Sequence, residues 1–218
     1  MFEALGYTFP EALLIQFAKA PVLGQVKTRM QPVLSEKQSL DLHCQLVRRI
    51  HETIHCETIN KEALCQSQLW VSGENCNDFF QSLRPLPDIK YQLGDNLGER
   101  MHSAIVAGLN HKGAVVLIGS DCPAINSDYL RDALVALDSV DVVLGPAEDG
   151  GYVLIAMKKA ESKVFEGVDW STSHVLQQTR ANLTALVLSH HELPLLNDID
   201  CPEDLIHLEG WTPYKNNL

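Results

Sequence analysis

Short, continuous apolar segments recur along this sequence and alternate with stretches of helical periodicity. Each has the length of a β-strand, and several are rich in β-branched residues. Their apolar residues run without interruption, as in AVVLIG, whereas a strand with one face in water alternates apolar and polar residues. The segments are residues 13–18, 68–71, 91–93, 114–119, 140–145, 152–157 and 185–188. The pattern predicts an α/β protein: a three-layer α/β/α sandwich with a mainly parallel central sheet.

Three of the intervening stretches place apolar residues at helical spacing. In residues 36–56 they recur at intervals of three, four and seven, and Ser35 stands where an N-cap is expected. Residues 97–109 repeat the pattern, and so do residues 175–183, which follow Ser and Thr cap signals at 171–173. No repeat, low-complexity tract or linker divides the 218 residues. We therefore expect residues 1–218 to form a single domain.

The charge and the apolar runs restrict the partners and the location. The chain has 28 Asp and Glu against 17 Lys and Arg, a formal charge of −11 at pH 7. This sign opposes binding to nucleic-acid phosphates or anionic lipid, so we expect no nucleic acid and no membrane as partner. No apolar run approaches 18 residues, residues 1–12 lack the basic start of a secretory signal, and the six cysteines form no C-x-x-C motif. These features indicate a cytoplasmic protein with reduced thiols; none of them specifies an oligomeric state.

A positively charged loop follows the first predicted strand. Residues 12–35 contain three basic residues and no acidic one. Gly24 would let the backbone turn and approach a ligand closely, while Lys27 and Arg29 carry donors suited to phosphate oxygens. The segment has neither the Gly-Lys of a Walker A loop nor the G-x-G-x-x-G of a Rossmann motif. We interpret it as a phosphate-binding loop of another kind, with a solvated basic loop as the alternative.

Carboxylates follow the later strands. Asp121 comes directly after AVVLIG-Ser, where an unpaired charge is costly unless a cation meets it. Since Mg²⁺ takes one or two carboxylates plus phosphates and water, Asp121 is a candidate metal ligand. The alternatives are that it caps a helix beginning near Asn126 or only starts a turn. Asp149 lies in a Glu-Asp-Gly-Gly turn that is also a common hairpin sequence. In residues 197–205, one of several carboxylates before Pro202 could be a second metal ligand or a helix cap.

Five segments are spread over roughly residues 13–206: FAKAPVLGQVKTRM, LGERM, LIGSDCP, GPAEDGGYVLI and DIDCPEDL. Together they resemble the DUF2064 family of the GT-A, or nucleotide-diphospho-sugar transferase, superfamily. The resemblance implies the GT-A fold, with the nucleotide phosphates held by Gly24, Lys27 and Arg29 of the first loop. The K-T-R run is also similar to that of phospholactate guanylyltransferases.

The same resemblance suggests roles for further residues. Gly98, Arg100 and Ser103 are similar to the nucleotide-contacting stretch of methylerythritol-phosphate cytidylyltransferases. Asp121 resembles the metal aspartate of molybdenum-cofactor guanylyltransferases, and Asp200 stands at the place of a second metal ligand. The chain departs from the glycosyltransferase D-x-D motif, which is reduced here to a single Asp, and it has Leu-Gly where family members often carry Pro-Gly.

The resemblance implies a Mg²⁺- or Mn²⁺-dependent transferase that moves a sugar from a nucleotide diphosphate sugar to a small-molecule acceptor. Lys27 and Arg29 would neutralise the leaving diphosphate together with the metal, and Asp149 would orient the acceptor or take its proton, so we expect Asp149 and Lys27 to be catalytic. Trp170 either borders the acceptor or belongs to the core. The alternatives are a nucleotidyltransferase that joins an NTP to a phosphorylated metabolite and releases pyrophosphate, and a non-catalytic nucleotide-binding module. The interpretation requires the Asp121 side chain to lie within about 10 Å of Lys27 or Arg29.

Overall fold

The computed structural model describes residues 7–31, 33–55, 63–73 and 78–208. The strands of this part are β1 (Ala12–Lys19), β2 (Gln66–Ser72), β3 (Ile89–Tyr91), β4 (Ala114–Ile118), β5 (Val142–Pro146), β6 (Tyr152–Met157) and β7 (His190–Glu192). The helices are α1 (Glu36–Ile54), α2 (Asp78–Ser82), α3 (Leu97–Leu109), α4 (Ser127–Leu137) and α5 (Val175–Ala185). Short 3-10 turns occupy Thr28–Met30, Ser162–Val164 and Pro202–His207.

The seven strands form one sheet in the order β3-β2-β1-β4-β6-β5-β7. All neighbouring strands are parallel except where β6 pairs with β4 and with β5. β5 and β6 form a hairpin, which allows this antiparallel pairing because a tight turn joins the two strands. The predicted mainly parallel sheet is therefore confirmed.

Helices cover both faces of the sheet, as the uninterrupted apolar strands predicted. Within β1, Leu14 packs in a cluster with residues of α1 and α4, while Leu13 and Ile15 pack in another cluster with residues of α3 and α5. Successive side chains of a strand point to opposite faces, so a strand buried on both sides must be apolar throughout. The three-layer α/β/α arrangement is confirmed.

The last strand differs from the prediction. The apolar run 185–188 forms the end of α5 and the turn after it, and Leu186 and Leu188 pack against the core. The strand itself is the polar segment 190–192, held to β5 by backbone pairing at the edge of the sheet. A short edge strand needs no apolar face, so hydrophobicity did not reveal it. The third strand also lies two residues earlier than predicted.

The predictions about membrane-spanning helices and about free thiols can be checked in the described residues. Within the described ranges, no helix is both long enough and apolar enough to cross a membrane. Cys44, Cys65, Cys122 and Cys201 are free thiols, as expected, whereas Cys56 and Cys76 lie outside the described residues, as do residues 1–6.

The N-cap of α1 agrees with the prediction and can be tested. The Ser35 hydroxyl accepts the Gln38 backbone N–H, and the Gln38 side chain accepts the Ser35 N–H. We expect Ser35→Ala to lower the free energy of unfolding by about 1 kcal/mol, because the Gln38 N–H at the helix start loses its acceptor and the Gln38 side chain loses the Ser35 hydroxyl donor. Urea denaturation measures the loss. Lys37→Ala, an exposed change in the same turn, is the control, and an equal loss in both would contradict a capping role.

Candidate functional site

A cleft of about 560 Å³ opens where β1 and β4 end and the β5–β6 turn begins. This is the edge of an α/β sheet at which ligands ordinarily bind. The volume is typical of pockets for small molecules and cofactors. Residues of the first loop, of α3, of the β5–β6 turn and of the segment 198–200 line it together.

Two features fix the shape of the first loop: its backbone conformation at Gly24 and Lys27, and the buried side chain of Met30. Gly24 has φ +74°, and a Cβ there would lie 3.3 Å from Oε1 of Glu36, so glycine suits both the turn and the close approach. Lys27 adopts the left-handed conformation at φ 50°, which is unusual for a residue with a side chain. Met30 then packs fully buried beneath the loop. Gly24 is not among the residues that line the cleft.

The basic residues of this loop meet the two predicted metal carboxylates directly. Lys27 Nζ lies 2.6 Å from Oδ1 of Asp121 and 3.8 Å from Oδ1 of Asp200. The Arg29 guanidinium donates to Oδ2 of Asp200 at 2.6 Å. Asp121 therefore lies far inside the 10 Å that the sequence interpretation required. Side chains separated by most of the chain converge at one place, although their roles in binding stay predictions.

Lys27 and Arg29 differ strongly in exposure. The Lys27 side chain is 3% exposed, whereas that of Arg29 is 61% exposed. Lys27 Nζ also donates to the carbonyl of Ile199, so its ammonium faces protein oxygens. Of the two cations, Arg29 is the one that presents its donors to solvent.

Asp121 is fixed by the backbone and by a neighbouring buried hydroxyl. Ser120 Oγ donates to the carbonyl of Phe17 at the end of β1 and accepts from the Gln16 amide, so Ser120 ties β4 to β1. The Asp121 carbonyl accepts the Ile199 N–H at 2.8 Å. Burial raises the pKa of Asp121, but the adjacent Lys27 ammonium outweighs it and holds the pKa below its ordinary value. Asn126 caps α4, so the capping alternative for Asp121 is wrong.

A second carboxylate, Asp198, is in a contrasting environment. Burial, together with the nearby carboxylates of Asp149 and Asp121, raises its pKa to about 6. Asp200, by contrast, is paired with Arg29. Ile199 between them is fully buried, which turns the two neighbouring carboxylates away from the core. Asp204 accepts the backbone N–H groups of Asp200 and Cys201, so Asp204 is the capping carboxylate of this segment.

The predicted catalytic Asp149 lies in the hairpin turn and lines the cleft. Its Oδ1 accepts the Gly151 N–H at 2.8 Å, which fixes the turn, and the residue is exposed. Gly150 has φ +87°, and a Cβ there would lie 2.2 Å from the Ser173 carbonyl. The turn and the segment before α5 are thus packed too tightly for any other residue at 150, so this glycine is needed for the fold.

The three residues predicted on α3 do not all reach the cleft. Arg100 lines it, and its Nε donates to the Gly94 carbonyl. Gly98 is buried beneath Trp170, whose indole lies 2.6 Å from the position of a Cβ at residue 98. Neither Gly98 nor Ser103 is among the lining residues. Trp170 itself is half-buried and lines the cleft, which combines the two roles considered for it.

Sequence reasoning missed several lining residues. Gln92 donates from its amide to the Trp70 carbonyl of β2, and a ring nitrogen of the buried His43 contacts the Lys19 carbonyl at the end of β1. In the sequence, Asp198 is one of several carboxylates in residues 197–205, and nothing local sets it apart from Asp200. The alternation Asp-Ile-Asp, with a buried isoleucine between two half-exposed acids, is the signal that could have singled out the two together.

The donor set fits a hard divalent cation. Asp121 has Oδ1 buried against Lys27 while its side chain as a whole is 48% exposed, which leaves Oδ2 as the oxygen facing the cleft. Burial raises the pKa of Asp198, and the carboxylates of Asp149 and Asp121 raise it further, so a cation placed among these groups would be stabilised. Within the described ranges, no three His, Cys, Asp or Glu side chains already converge as a metal site. A Mg²⁺ site of one or two carboxylates, completed by phosphates and water, needs no such cluster.

Known proteins resemble this chain in fold and partly in sequence. The family model "Uncharacterized protein conserved in bacteria (DUF2064)" matches residues 54–172. A protein of Desulfovibrio desulfuricans G20, provisionally described as a nucleotide-diphospho-sugar transferase, is 29% identical with a TM-score of 0.83, over 96% of this chain and 90% of that one. No curated protein sequence matches significantly.

Two solved structures of lower identity share the fold alone. CMP:2-keto-3-deoxy-manno-octonic acid synthetase complexed with CTP is 9% identical with a TM-score of 0.56, over 91% of this chain and 96% of that one. Glucosyl-3-phosphoglycerate synthase from Mycobacterium tuberculosis, in complex with Mg²⁺ and uridine-diphosphate, is 10% identical with a TM-score of 0.54, over 90% of this chain and 74% of that one. The sheet described above is thus the fold of the nucleotide-diphospho-sugar transferases.

The crowding of carboxylates predicts a pH-dependent effect of Asp198→Asn. Because folding raises the pKa of Asp198 to about 6, its contribution to stability is fully present below the unfolded value near 4 and is lost as the pH rises through 6. We expect the variant to be more stable than the parent at pH 7.5, by on the order of 1 kcal/mol after screening, and not at pH 4. Urea denaturation at both pH values measures this. Asp132→Asn, on the exposed side of α4, is the control; equal gains at both pH values would contradict the explanation.

The contact between Gly98 and Trp170 predicts a coupled pair of substitutions. We expect Gly98→Ala to destabilise the protein by about 1–3 kcal/mol, because its methyl group would collide with the indole. In a Trp170→Ala background the same change should cost nothing, since the obstacle is gone, and helix propensity would favour alanine by up to about 1 kcal/mol. A double-mutant cycle from urea denaturation measures the coupling. Additive effects would show that the two residues do not touch.

Proposed function

Since this chain belongs to the DUF2064 family, we propose that it is a divalent-cation-dependent transferase that moves a sugar from a nucleotide diphosphate sugar to a small-molecule acceptor. The observation that carries the proposal is the arrangement at one edge of the cleft. There Asp121 turns one oxygen toward the cleft, Asp198 lies near it, and the exposed guanidinium of Arg29 stands beside them. The relative from Desulfovibrio desulfuricans, similar over nearly the whole chain, supports the sugar-nucleotide part.

In this proposal Asp121 and Asp198 hold Mg²⁺ or Mn²⁺. When bound, the cation would neutralise the negative charge that develops on the diphosphate leaving group. Asp198 replaces the predicted Asp200 as the second carboxylate, because Asp200 is already paired with Arg29 whereas Asp198 lacks a compensating charge. Two solved structures of this fold, one with Mg²⁺ and one with manganese, are consistent with such chemistry.

The chain's own cations would then bind the phosphates. Arg29 is exposed and bonds to Asp200 through one Nη, so its other donors can bind a phosphate while the pair is kept, and Arg100 approaches the cleft from α3. On this proposal Gly24 and Gly98 act by shaping the loop and seating Trp170, without touching the nucleotide. Ser103 lies beyond the lining and has no direct role in it.

Asp149 is proposed to orient the acceptor. It lines the cleft near enough to Asp198 for the two charges to interact, and its Oδ1 is fixed by the Gly151 N–H. A carboxylate held in this way can accept a hydrogen bond from an acceptor hydroxyl and receive its proton during transfer. Tyr152 and Trp170 line the same cleft and would contact the acceptor's apolar faces.

Nucleotidyl transfer is the second candidate, because the same fold occurs in a synthetase that binds CTP. In that reaction the same carboxylates would hold the cation that binds the phosphates of an NTP, and the two outer phosphates would leave as pyrophosphate. A cytoplasmic location and a single domain over residues 1–218 remain predictions alongside either reaction.

Ligand-induced stabilisation tests the proposal. We expect nucleoside diphosphates and their sugars to raise the melting temperature only when Mg²⁺ or Mn²⁺ is present, since binding to the folded state alone stabilises it. Asp121→Asn and Asp198→Asn should each abolish the shift, whereas Asp132→Asn on the exposed side of α4 should keep it. A shift with triphosphates but not with diphosphate sugars would favour nucleotidyl transfer. No shift with any nucleotide would contradict both reactions.

A further inference from the structure

We propose that Lys27 is an internal counter-cation of this site, which compensates Asp121 and thereby keeps the site's affinity for a free divalent cation low until phosphates accompany the ion. The inference rests on the proposed function, because it concerns the same cation site. It departs from the sequence prediction that Lys27 binds phosphate. Lys27 acts here through Asp121, so it is a positioning residue.

The first argument is burial. The Lys27 side chain is 3% exposed, and its ammonium lies 2.6 Å from Oδ1 of Asp121, an oxygen that is itself shielded from solvent. An ammonium placed for phosphate would present its donors to the cleft, as the 61% exposed Arg29 does. The ammonium of Lys27 is directed at protein oxygens.

The second argument is a closed set of contacts. Lys27 Nζ donates to the Ile199 carbonyl, the Ile199 N–H donates to the Asp121 carbonyl at 2.8 Å, and Asp121 Oδ1 returns to Lys27. Met30 and Ile199 pack in one small apolar cluster beneath this ring. The lysine thus ties together the three segments that carry Arg29, Asp121 and the pair Asp198 and Asp200.

The third argument is the orientation of the carboxylate. Lys27 occupies Oδ1 and leaves Oδ2 on the cleft side, so a cation could bind Asp121 without displacing the lysine. Its positive charge, a few ångströms away, still opposes the charge of that cation. Phosphates that arrive with the ion bring negative charge and remove this penalty, which makes cation and nucleotide binding cooperative.

Mn²⁺ titration followed by the EPR signal of the free ion tests the inference. Lys27→Gln keeps a hydrogen-bond donor for the Ile199 carbonyl but removes the charge. We expect it to bind Mn²⁺ alone at least about tenfold more tightly than the parent, because a unit charge near the ion is lost. Lys27→Arg keeps the charge and should remain within about threefold of the parent. Lys90→Gln, which removes a charge from an exposed surface pair, should leave the affinity unchanged.

The possible results separate the two proposals. Unchanged or weaker Mn²⁺ binding by Lys27→Gln, or equally tight binding by Lys27→Arg, would overturn the counter-cation role. Should Lys27→Gln unfold in EDTA, refolding on addition of Mn²⁺ supports the role and failure to refold overturns it. Adding UDP, CDP or GDP singly to the parent should tighten Mn²⁺ binding. If none of these nucleotides tightens Mn²⁺ binding, the proposed function is refuted. The comparison of the variants with Mn²⁺ alone still decides the role of Lys27.

Discussion

The ion pair between Lys27 and Asp121 is the interaction on which the site depends. A carboxylate at the end of a buried strand is costly without a partner, and a lysine side chain buried to 97% is equally so. Each makes the other tolerable, and the Ile199 carbonyl satisfies a further donor of the ammonium. The pair therefore fixes where the first loop, the end of β4 and the segment 197–200 meet.

The fold brings these three segments together for a topological reason. β1 and β4 are parallel neighbours, so the residues that follow them emerge at the same edge of the sheet. The Ala147–Leu196 bridge directs the chain back past the same edge after β7. The hairpin of β5 and β6 places Asp149 at this edge as well. The strand order therefore brings carboxylates from separate parts of the chain into one cleft.

Four aspartates that line the cleft differ in charge compensation because their neighbours differ. Asp121 has the lysine, Asp200 has the arginine, and Asp149 is tied to a backbone N–H. Asp198 is partly buried beside other carboxylates, and both effects raise its pKa above that of an ordinary aspartate. The charges around each carboxylate therefore separate their proposed roles better than their positions in the sequence do.

Local features could be predicted from the sequence: strands with uninterrupted apolar runs, the Ser35 cap of α1, the turn around Asp149, a first loop without acidic residues, and an aspartate shortly after the fourth strand. These depend on neighbours within a few positions, which periodicity and turn chemistry report. Only the folded chain shows that Lys27 turns inward while Arg29 stays exposed, that Arg29 pairs with Asp200 whereas Asp198 is buried beside other carboxylates, and that Trp170 covers Gly98. It also shows that the polar segment 190–192 forms the edge strand. Each of these features depends on contacts between residues that are distant in sequence. A local pattern does not indicate which of several similar charged groups or strand edges will be in contact after folding.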